Sequence, residues 1–142
     1  MTGNTHRLWA AIATVAALQA QHAFAIPPTL EVSLLPHVAT IIGGAVLGGL
    51  PDVDMKLGIP HRTLTHAIWW PLLLWVLVPA PFGPSLGFAL LTHALLDCVA
   101  GRVQLFWPAP WWVGWQVVKT GGVSETVFNI GAGVWVVWNF FR

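Results

Sequence analysis

The sequence predicts an all-α membrane protein, a small polytopic bundle of four or five short transmembrane helices that forms one domain over residues 1–142. Apolar residues make up 56% of the chain and charged residues only 8%, a balance that is unusual for a soluble domain. The chain has ten Trp residues and no Tyr, and Trp is enriched where transmembrane helices meet the membrane surface. Apolar segments separated by Pro or Gly supply the predicted helices.

The predicted helices follow one another along the chain. They cover residues 8–25, 36–50, 63–80, 85–100 and 124–141. Pro36 suits a helix start, and Thr63 and Ser124 can cap the third and fifth helices. Pro71 is expected to kink the third helix. Helices of this length extend about 22–27 Å, which is short for a hydrocarbon core of about 30 Å. The segment 102–122 is rich in Trp and Pro and is predicted to be an interfacial loop or a re-entrant piece.

The first segment also has the pattern of a secretory signal. Arg7 precedes the apolar run, and Ala23-Phe24-Ala25 offers a small-residue cleavage site. Because a cation followed by an apolar run is a generic pattern, we expect the segment to be retained. Cleavage after Ala25 would remove His6 from the protein.

Alternating crossings would bring most ionisable residues to one side of the membrane. Four places then lie together: the start of the first helix, the loop after the second, the first turn of the third and the C-terminal end of the fourth. These places carry His6, Asp52, Asp54, His61, His66, His93 and Asp97. The same side holds every cation except Arg142, so the positive-inside rule makes it the cytoplasmic side.

Two spacings in this set are typical of metal ligands. His93 and Asp97 lie four residues apart, so on a helix they share a face and can hold one ion. Asp52 and Asp54 point the same way in an extended segment, and their charges repel each other unless a cation lies between them. Taken singly, each pair also has an ordinary explanation, as a buried hydrogen-bonded pair or as a solvated loop.

The ligand types indicate which ion the site would bind. His61 and His66 would diverge on one continuous helix, but Pro60 places His61 in a loop, from which the two rings can converge. Imidazole and carboxylate ligands together suit Zn²⁺, Mn²⁺ or Fe²⁺. Because the candidates outnumber the ligands of one ion, we expect one or two divalent ions, with zinc favoured.

Three further roles follow from residue type and position. Asp54 could act as a general base as well as a ligand. Arg62 could offset the charge of a phosphate, or it could simply anchor the cytoplasmic side. Glu125, near the start of the fifth helix, could be a ligand, a base or a helix-start carboxylate. The net charge of +1 argues against nucleic acid as a partner. We expect membrane lipids and a small-molecule or lipid phosphoester substrate as partners, and the sequence leaves a protein partner or a homo-oligomer open.

The motifs resemble those of the YdjM-like family of membrane-bound, metal-dependent hydrolases, also described as LexA-binding and inner-membrane-associated. The resemblance covers nearly the whole chain and rests on Thr5-His6, Leu50-Pro51-Asp52-Val53-Asp54, His61-Arg62-Thr63-Leu64-Thr65-His66 and His93-Ala94-Leu95-Leu96-Asp97, with Gly101, Trp107-Pro108 and Gly121-Gly122-Val123-Ser124-Glu125 as later landmarks. It implies a multi-pass protein of the bacterial inner membrane. A distant link of that family to the helical fold of zinc-dependent phospholipase C implies phosphoester chemistry.

The sequence therefore favours a metal-dependent hydrolase that acts on a phosphoester, which could be a lipid, at the cytoplasmic membrane interface. The alternative is a non-catalytic membrane adaptor in which the ion is structural. An ion or proton transporter is disfavoured, because no acidic residue falls on the far half of any predicted span.

Overall fold

The computed structural model describes residues 1–24, 34–79 and 82–140. These residues form helices and loops and contain no β-strand, which confirms the all-α fold class. The α-helices are α1 (Gly3–Phe24), α2 (Leu34–Leu47), α3 (Asp54–Leu57), α4 (Trp69–Leu77), α5 (Phe82–Ala100) and α6 (Val123–Phe140). Two 3-10 helices, Pro51–Val53 and Leu64–His66, lie on either side of α3. The cleavage site considered at Ala25 lies outside the described residues.

Helix α1 begins at Gly3, well before the predicted start at residue 8. His6 therefore lies inside the helix, not before it as predicted. The first N–H groups of a helix lack partners within the helix, and here the carboxylate of Glu125 accepts a hydrogen bond from the Thr2 N–H at 2.8 Å. Because Glu125 is 123 residues away along the chain, no local sequence signal could reveal this helix start.

The third predicted helix is shorter than expected and begins later. Helix α4 starts at Trp69, and the extended backbone of Ala67 separates it from the 3-10 helix that contains His66. Pro71 thus lies in the first turn of α4, where its missing N–H leaves no broken hydrogen bond, and it starts a helix where a kink was predicted. Thr63 does not cap a helix, because its hydroxyl donates to the carbonyl of Pro60 at 2.5 Å.

Residues 102–122 form the predicted loop, without any helix. The loop folds back over the end of α5, where the Trp115 N–H donates to the Cys98 carbonyl at 2.7 Å and the Val117 N–H donates to the Val99 carbonyl at 2.8 Å. Carbonyls at a helix C-terminus need such donors, so the loop completes the hydrogen bonding of α5. Trp111 and Trp115 remain 67% and 64% exposed.

Two segments of the described chain are long and apolar enough to cross a membrane. They are Val38–Leu57, which joins α2 to the short helices after it, and Phe82–Ala100, which is α5. The predicted number of four or five crossings is not confirmed. Helix α4, with nine residues, extends only about 14 Å, which is too short to cross alone.

Helix α5 is the centre of the bundle and packs against α1, α2 and α4. Helices α1 and α2 approach each other closely at Gly48, where a Cβ atom would collide with the Ala10 side chain and the His6 carbonyl. Only a glycine allows the chain after α2 to lie this near α1. The close approach places the Gly48 backbone beside the buried histidines that are described next.

Candidate metal centre

Four side chains from three elements converge on the buried face of α5. Each of Asp52, His66, His93 and Asp97 offers one ligand atom, and these atoms all lie within 4.8 Å of one another. His93 and Asp97 are one turn apart on α5, as the sequence predicts, and the two 3-10 helices supply Asp52 and His66. Asp52 is the partly exposed member, with 19% of its side chain accessible, whereas the other three are buried.

The hydrogen bond of His93 fixes which of its ring nitrogens can bind an ion. Its Nδ1 lies 2.7 Å from the carbonyl oxygen of Gly48, and a carbonyl only accepts, so Nδ1 carries the hydrogen. In a neutral imidazole the other nitrogen, Nε2, then presents a lone pair. That nitrogen points into the cluster, 3.6 Å from Asp52 Oδ1 and 3.8 Å from Asp97 Oδ2.

A chain of two hydrogen bonds orients His66 in the same way. The Thr65 hydroxyl donates to Asp54 Oδ2 at 2.8 Å, so its oxygen is free to accept a hydrogen bond from His66 Nδ1, which lies 3.0 Å away. The Nε2 atom of His66 is therefore also a lone-pair nitrogen, and it lies 3.0 Å from Nε2 of His93.

Two lone pairs at this distance repel each other, and Nε2 of His66 also lies 3.1 Å from Asp97 Oδ2, so a proton or a metal ion fits between these atoms. The surrounding carboxylates supply the negative charge that would hold a divalent ion. In a tetrahedral zinc site with Zn–N bonds of about 2.0–2.1 Å, two ligand nitrogens are about 3.3 Å apart, close to the spacing observed here.

Asp97 is held in place by Arg62. The guanidinium donates from Nε to Oδ2 at 3.2 Å and from Nη2 to Oδ1 at 3.1 Å, and the amino group of Met1 donates to Oδ1 at 3.2 Å. A two-pronged contact of this kind fixes both the position and the charge of a carboxylate. Gly101 makes room for it, because a Cβ there would collide with the guanidinium. Arg62 is thus occupied with Asp97.

Asp54 is completely buried and accepts hydrogen bonds from three donors. These are His61 Nδ1 at 2.9 Å, the Thr65 hydroxyl at 2.8 Å and the backbone N–H of Arg62 at 3.3 Å. Arg62 has φ of 62°, a left-handed conformation that is uncommon for a side chain-bearing residue. Asp54, His61 and His66 form a second group whose ligand atoms lie within 4.8 Å of one another, so His66 belongs to both groups.

His6 lies against the first group without completing its hydrogen bonds. Its ring stacks on that of His93 at a centroid distance of 3.8 Å, and Nε2 lies 3.2 Å from Asp97 Oδ1 outside hydrogen-bond geometry. The side chain is fully buried, yet within the described part of the chain neither ring nitrogen has a hydrogen-bond partner. A buried imidazole with unpaired nitrogens next to a carboxylate fits a position that contacts an ion or a ligand.

Glu125 lies in a different network, in the first turn of α6 and outside the two candidate membrane spans. Its carboxylate accepts hydrogen bonds from the Thr2 N–H, from the hydroxyls of Thr2 and Thr5 and from the Gly121 N–H, at 2.5–3.0 Å. Burial raises the pKa of Glu125, but these hydrogen bonds outweigh burial and lower it to about 2. Its observed contacts join α6 to the start of α1.

The structure thus brings all seven predicted ligand residues into one region, and leaves Glu125 apart from them. Sequence analysis missed Thr65 and the Gly48 carbonyl, which select the tautomers of the two central histidines. Thr65 had a signal, since it lies directly before a candidate ligand, whereas Gly48 acts through its backbone and had none.

No family model, curated protein or solved structure matches this chain. The resemblance to the YdjM-like family therefore rests on the motifs in the sequence alone.

Proposed function

We propose that this protein is a membrane-embedded, metal-dependent hydrolase of phosphoesters. The observation that carries the proposal is the pair of Nε2 atoms of His66 and His93, which face each other at 3.0 Å while both Nδ1 atoms are occupied by hydrogen bonds. This arrangement fits a divalent cation, and the unpaired imidazole of His6 beside it fits a ligand that completes the site.

The ligands we assign to the first ion are His66 Nε2, His93 Nε2, Asp97 Oδ2 and Asp52 Oδ1. Nitrogen and oxygen ligands in this ratio favour Zn²⁺, with Mn²⁺ and Fe²⁺ as alternatives. The group of Asp54, His61 and His66 would hold a second ion only if His66 Nδ1 gave up the hydrogen that it donates to Thr65. A divalent ion supplies Lewis acidity, which polarises a phosphoryl oxygen and makes water nucleophilic near neutral pH.

The residues around the ligands have positioning roles in this proposal. Arg62 orients Asp97, and Asp54 orients His61 and, through Thr65, His66. Ligand-supporting residues of this kind tune the affinity of a metal site. Substrate and water would enter beside Asp52 and His61, whose side chains are 19% and 33% exposed.

The place of the centre in the candidate spans supports a location at the membrane surface. Asp52 lies near the end of the first span and Asp97 near the end of the second, and both belong to one cluster. Two spans whose C-terminal ends meet must end on the same side of the bilayer. We propose that this side is cytoplasmic, because Arg7, Lys56 and Arg62 lie in the same region, and that the membrane is the bacterial inner membrane.

Metal analysis combined with an ester panel tests the proposal. In the purified protein we expect His93→Ala and Asp97→Asn to lose bound metal and hydrolysis together, because each change removes a ligand. Thr92→Ala, next to His93 on α5, should retain both, because the Thr92 hydroxyl donates to the Phe88 carbonyl of the same helix and takes no part in the ligand cluster among the described residues. The assignment is rejected if the metal content of both ligand variants equals that of the wild type.

Burial favours a second candidate, a non-catalytic adaptor whose ion is structural. His66, His93 and Asp97 are at most 2% exposed, and closed coordination is typical of structural zinc sites. A structural ion predicts that a chelator lowers thermal stability while no phosphomonoester, phosphodiester or phospholipid is hydrolysed with metal present. A catalytic ion predicts hydrolysis that a chelator abolishes and added metal restores.

A further inference from the structure

A groove of about 510 Å³ runs along α4, between that helix, α2 and α5. Leu47, Leu73, Leu77 and Leu90 line its walls. Its lining within α4 runs from Trp70 to Leu77, so the groove follows about 10 Å of helix. Its volume is within the range of small-molecule sites, and its walls are apolar.

The groove reaches the candidate metal centre. Thr65 belongs to its lining and also lies 3.0 Å from Nδ1 of His66 through its hydroxyl oxygen. Pro51, another lining residue, directly precedes Asp52, and Leu90 lies one turn before His93 on α5. The apolar groove and the cluster of candidate metal ligands thus meet at one end of α4.

The chemistry of the groove identifies its occupant. Leucine walls offer contact and no hydrogen bonds, so they fit a hydrocarbon chain better than a polar ligand. The groove lies between the two candidate membrane spans, and hence at a depth where hydrocarbon chains are abundant. A molecule whose hydrocarbon chain lies in the groove and whose head group lies at the ligand cluster must have an apolar tail joined to an anionic group.

We propose that the groove binds the hydrocarbon chain of a lipid phosphoester and places its phosphate at the metal centre. This inference rests on the proposed function, to which it adds the substrate class. It makes the chain length of a substrate a determinant of kcat/KM, because each methylene group that enters the groove contributes up to about fourfold.

Alkyl 4-nitrophenyl phosphodiesters from butyl to decyl test the proposal with the full-length protein in detergent and with Zn²⁺ added. For the wild type, kcat/KM should rise by at least about tenfold over the series. Leu73→Trp fills the groove and should abolish the rise. Val76→Trp is the matched control, because Val76 lies on the same helix, is 80% exposed and does not line the groove. An equal rise in both variants overturns the proposal.

Photo-crosslinking separates the groove from catalysis. An alkyl phosphate with a diazirine at its chain end should label the groove walls, and Leu73→Trp should abolish that labelling. If the groove is labelled but no ester is hydrolysed, the lipid-binding role of the groove is supported and the proposed hydrolase function is rejected. Hydrolysis with no dependence on chain length, or labelling spread evenly over the outer faces of α4 and α6, rejects the groove and leaves the hydrolase intact.

Discussion

The smallest decisive feature is the pair of hydrogen bonds that select the histidine tautomers. A neutral histidine carries one hydrogen on one of its two ring nitrogens, and Thr65 and the Gly48 carbonyl decide which nitrogen carries it in His66 and His93. Neither residue supplies a ligand atom to the first group. Their effect on an ion is indirect, through the direction of a lone pair.

Replacing Thr65 with Val keeps the shape of the side chain and removes the hydroxyl between His66 and Asp54. We expect Zn²⁺ affinity to fall by about 10–100-fold, as is typical when a ligand-supporting hydrogen bond is lost. Competition with a fluorescent zinc chelator measures the dissociation constant. Thr63→Val is the matched control, since that hydroxyl bonds only the Pro60 carbonyl, and equal affinity losses in both variants would contradict the assignment.

At the scale of elements, the sequence predicted what local rules determine and missed what distant contacts decide. The one-turn spacing of His93 and Asp97 on α5 needed only helix geometry. The early start of α1 and the late start of α4 depend on Glu125 and on where Pro71 falls in the first turn. The Glu125 contact joins the two ends of the described chain, so no local pattern contains it.

Glu125→Gln should lower the free energy of unfolding by about 1.5–3 kcal/mol, because a charged acceptor shared by Thr2, Thr5 and Gly121 is lost. The pKa of Glu125 is about 2 in the folded protein, below its ordinary value of 4.5, so the carboxylate stabilises the fold above pH 4.5 and this contribution fades as the pH falls toward 2. The difference between wild type and variant should shrink over that interval.

Denaturant unfolding at several pH values measures the Glu125 effect. Ser124→Ala is the neighbouring control, because its hydroxyl accepts one exposed hydrogen bond from Lys119 and should contribute little. A wild type–Glu125→Gln difference that stays constant from pH 5 to pH 2 would argue against a depressed pKa.

Gly48→Ala should separate α1 from α2, because the new methyl group would overlap the Ala10 side chain and the His6 carbonyl. We expect a loss of about 1–3 kcal/mol in stability, the usual effect of overpacking. Gly43→Ala is the control, since a Cβ there meets only Leu86 at an ordinary contact distance of 3.5 Å. Thermal unfolding of the two variants in the same detergent would show the difference, and equal midpoints would refute the close approach.

For the whole molecule, the prediction that scattered histidines and acids gather in one region holds, although the predicted number of crossings is not confirmed. The clustering needed only the chain to reverse direction between the motifs. The number of crossings depends on the length of each helix, and the observed helix ends differ from the predicted ones. The difference is largest at α4, which is shorter than the predicted third helix. How α4 and α5 form a groove beside the centre depends on packing, which no motif specifies.

Because the proposed ion joins residues from α5 and both 3-10 helices, it should stabilise the entire fold. At a free Zn²⁺ concentration about 100 times the dissociation constant, the expected gain is about 2.7 kcal/mol. A chelator should therefore lower the unfolding temperature of the wild type and leave Asp97→Asn unchanged. An equal chelator effect on both proteins would place the stabilising ion elsewhere.

Gly48 connects the packing of two helices to the orientation of a histidine ring. It is the point of nearest approach between α1 and the chain after α2, and its carbonyl holds the imidazole of His93. A bilayer whose thickness or lateral pressure changes the tilt of α1 against α2 would therefore also rotate a metal-binding ring. In the proposed site, the packing of α1 against α2 and the affinity for the ion would then be coupled at a residue that has no side chain.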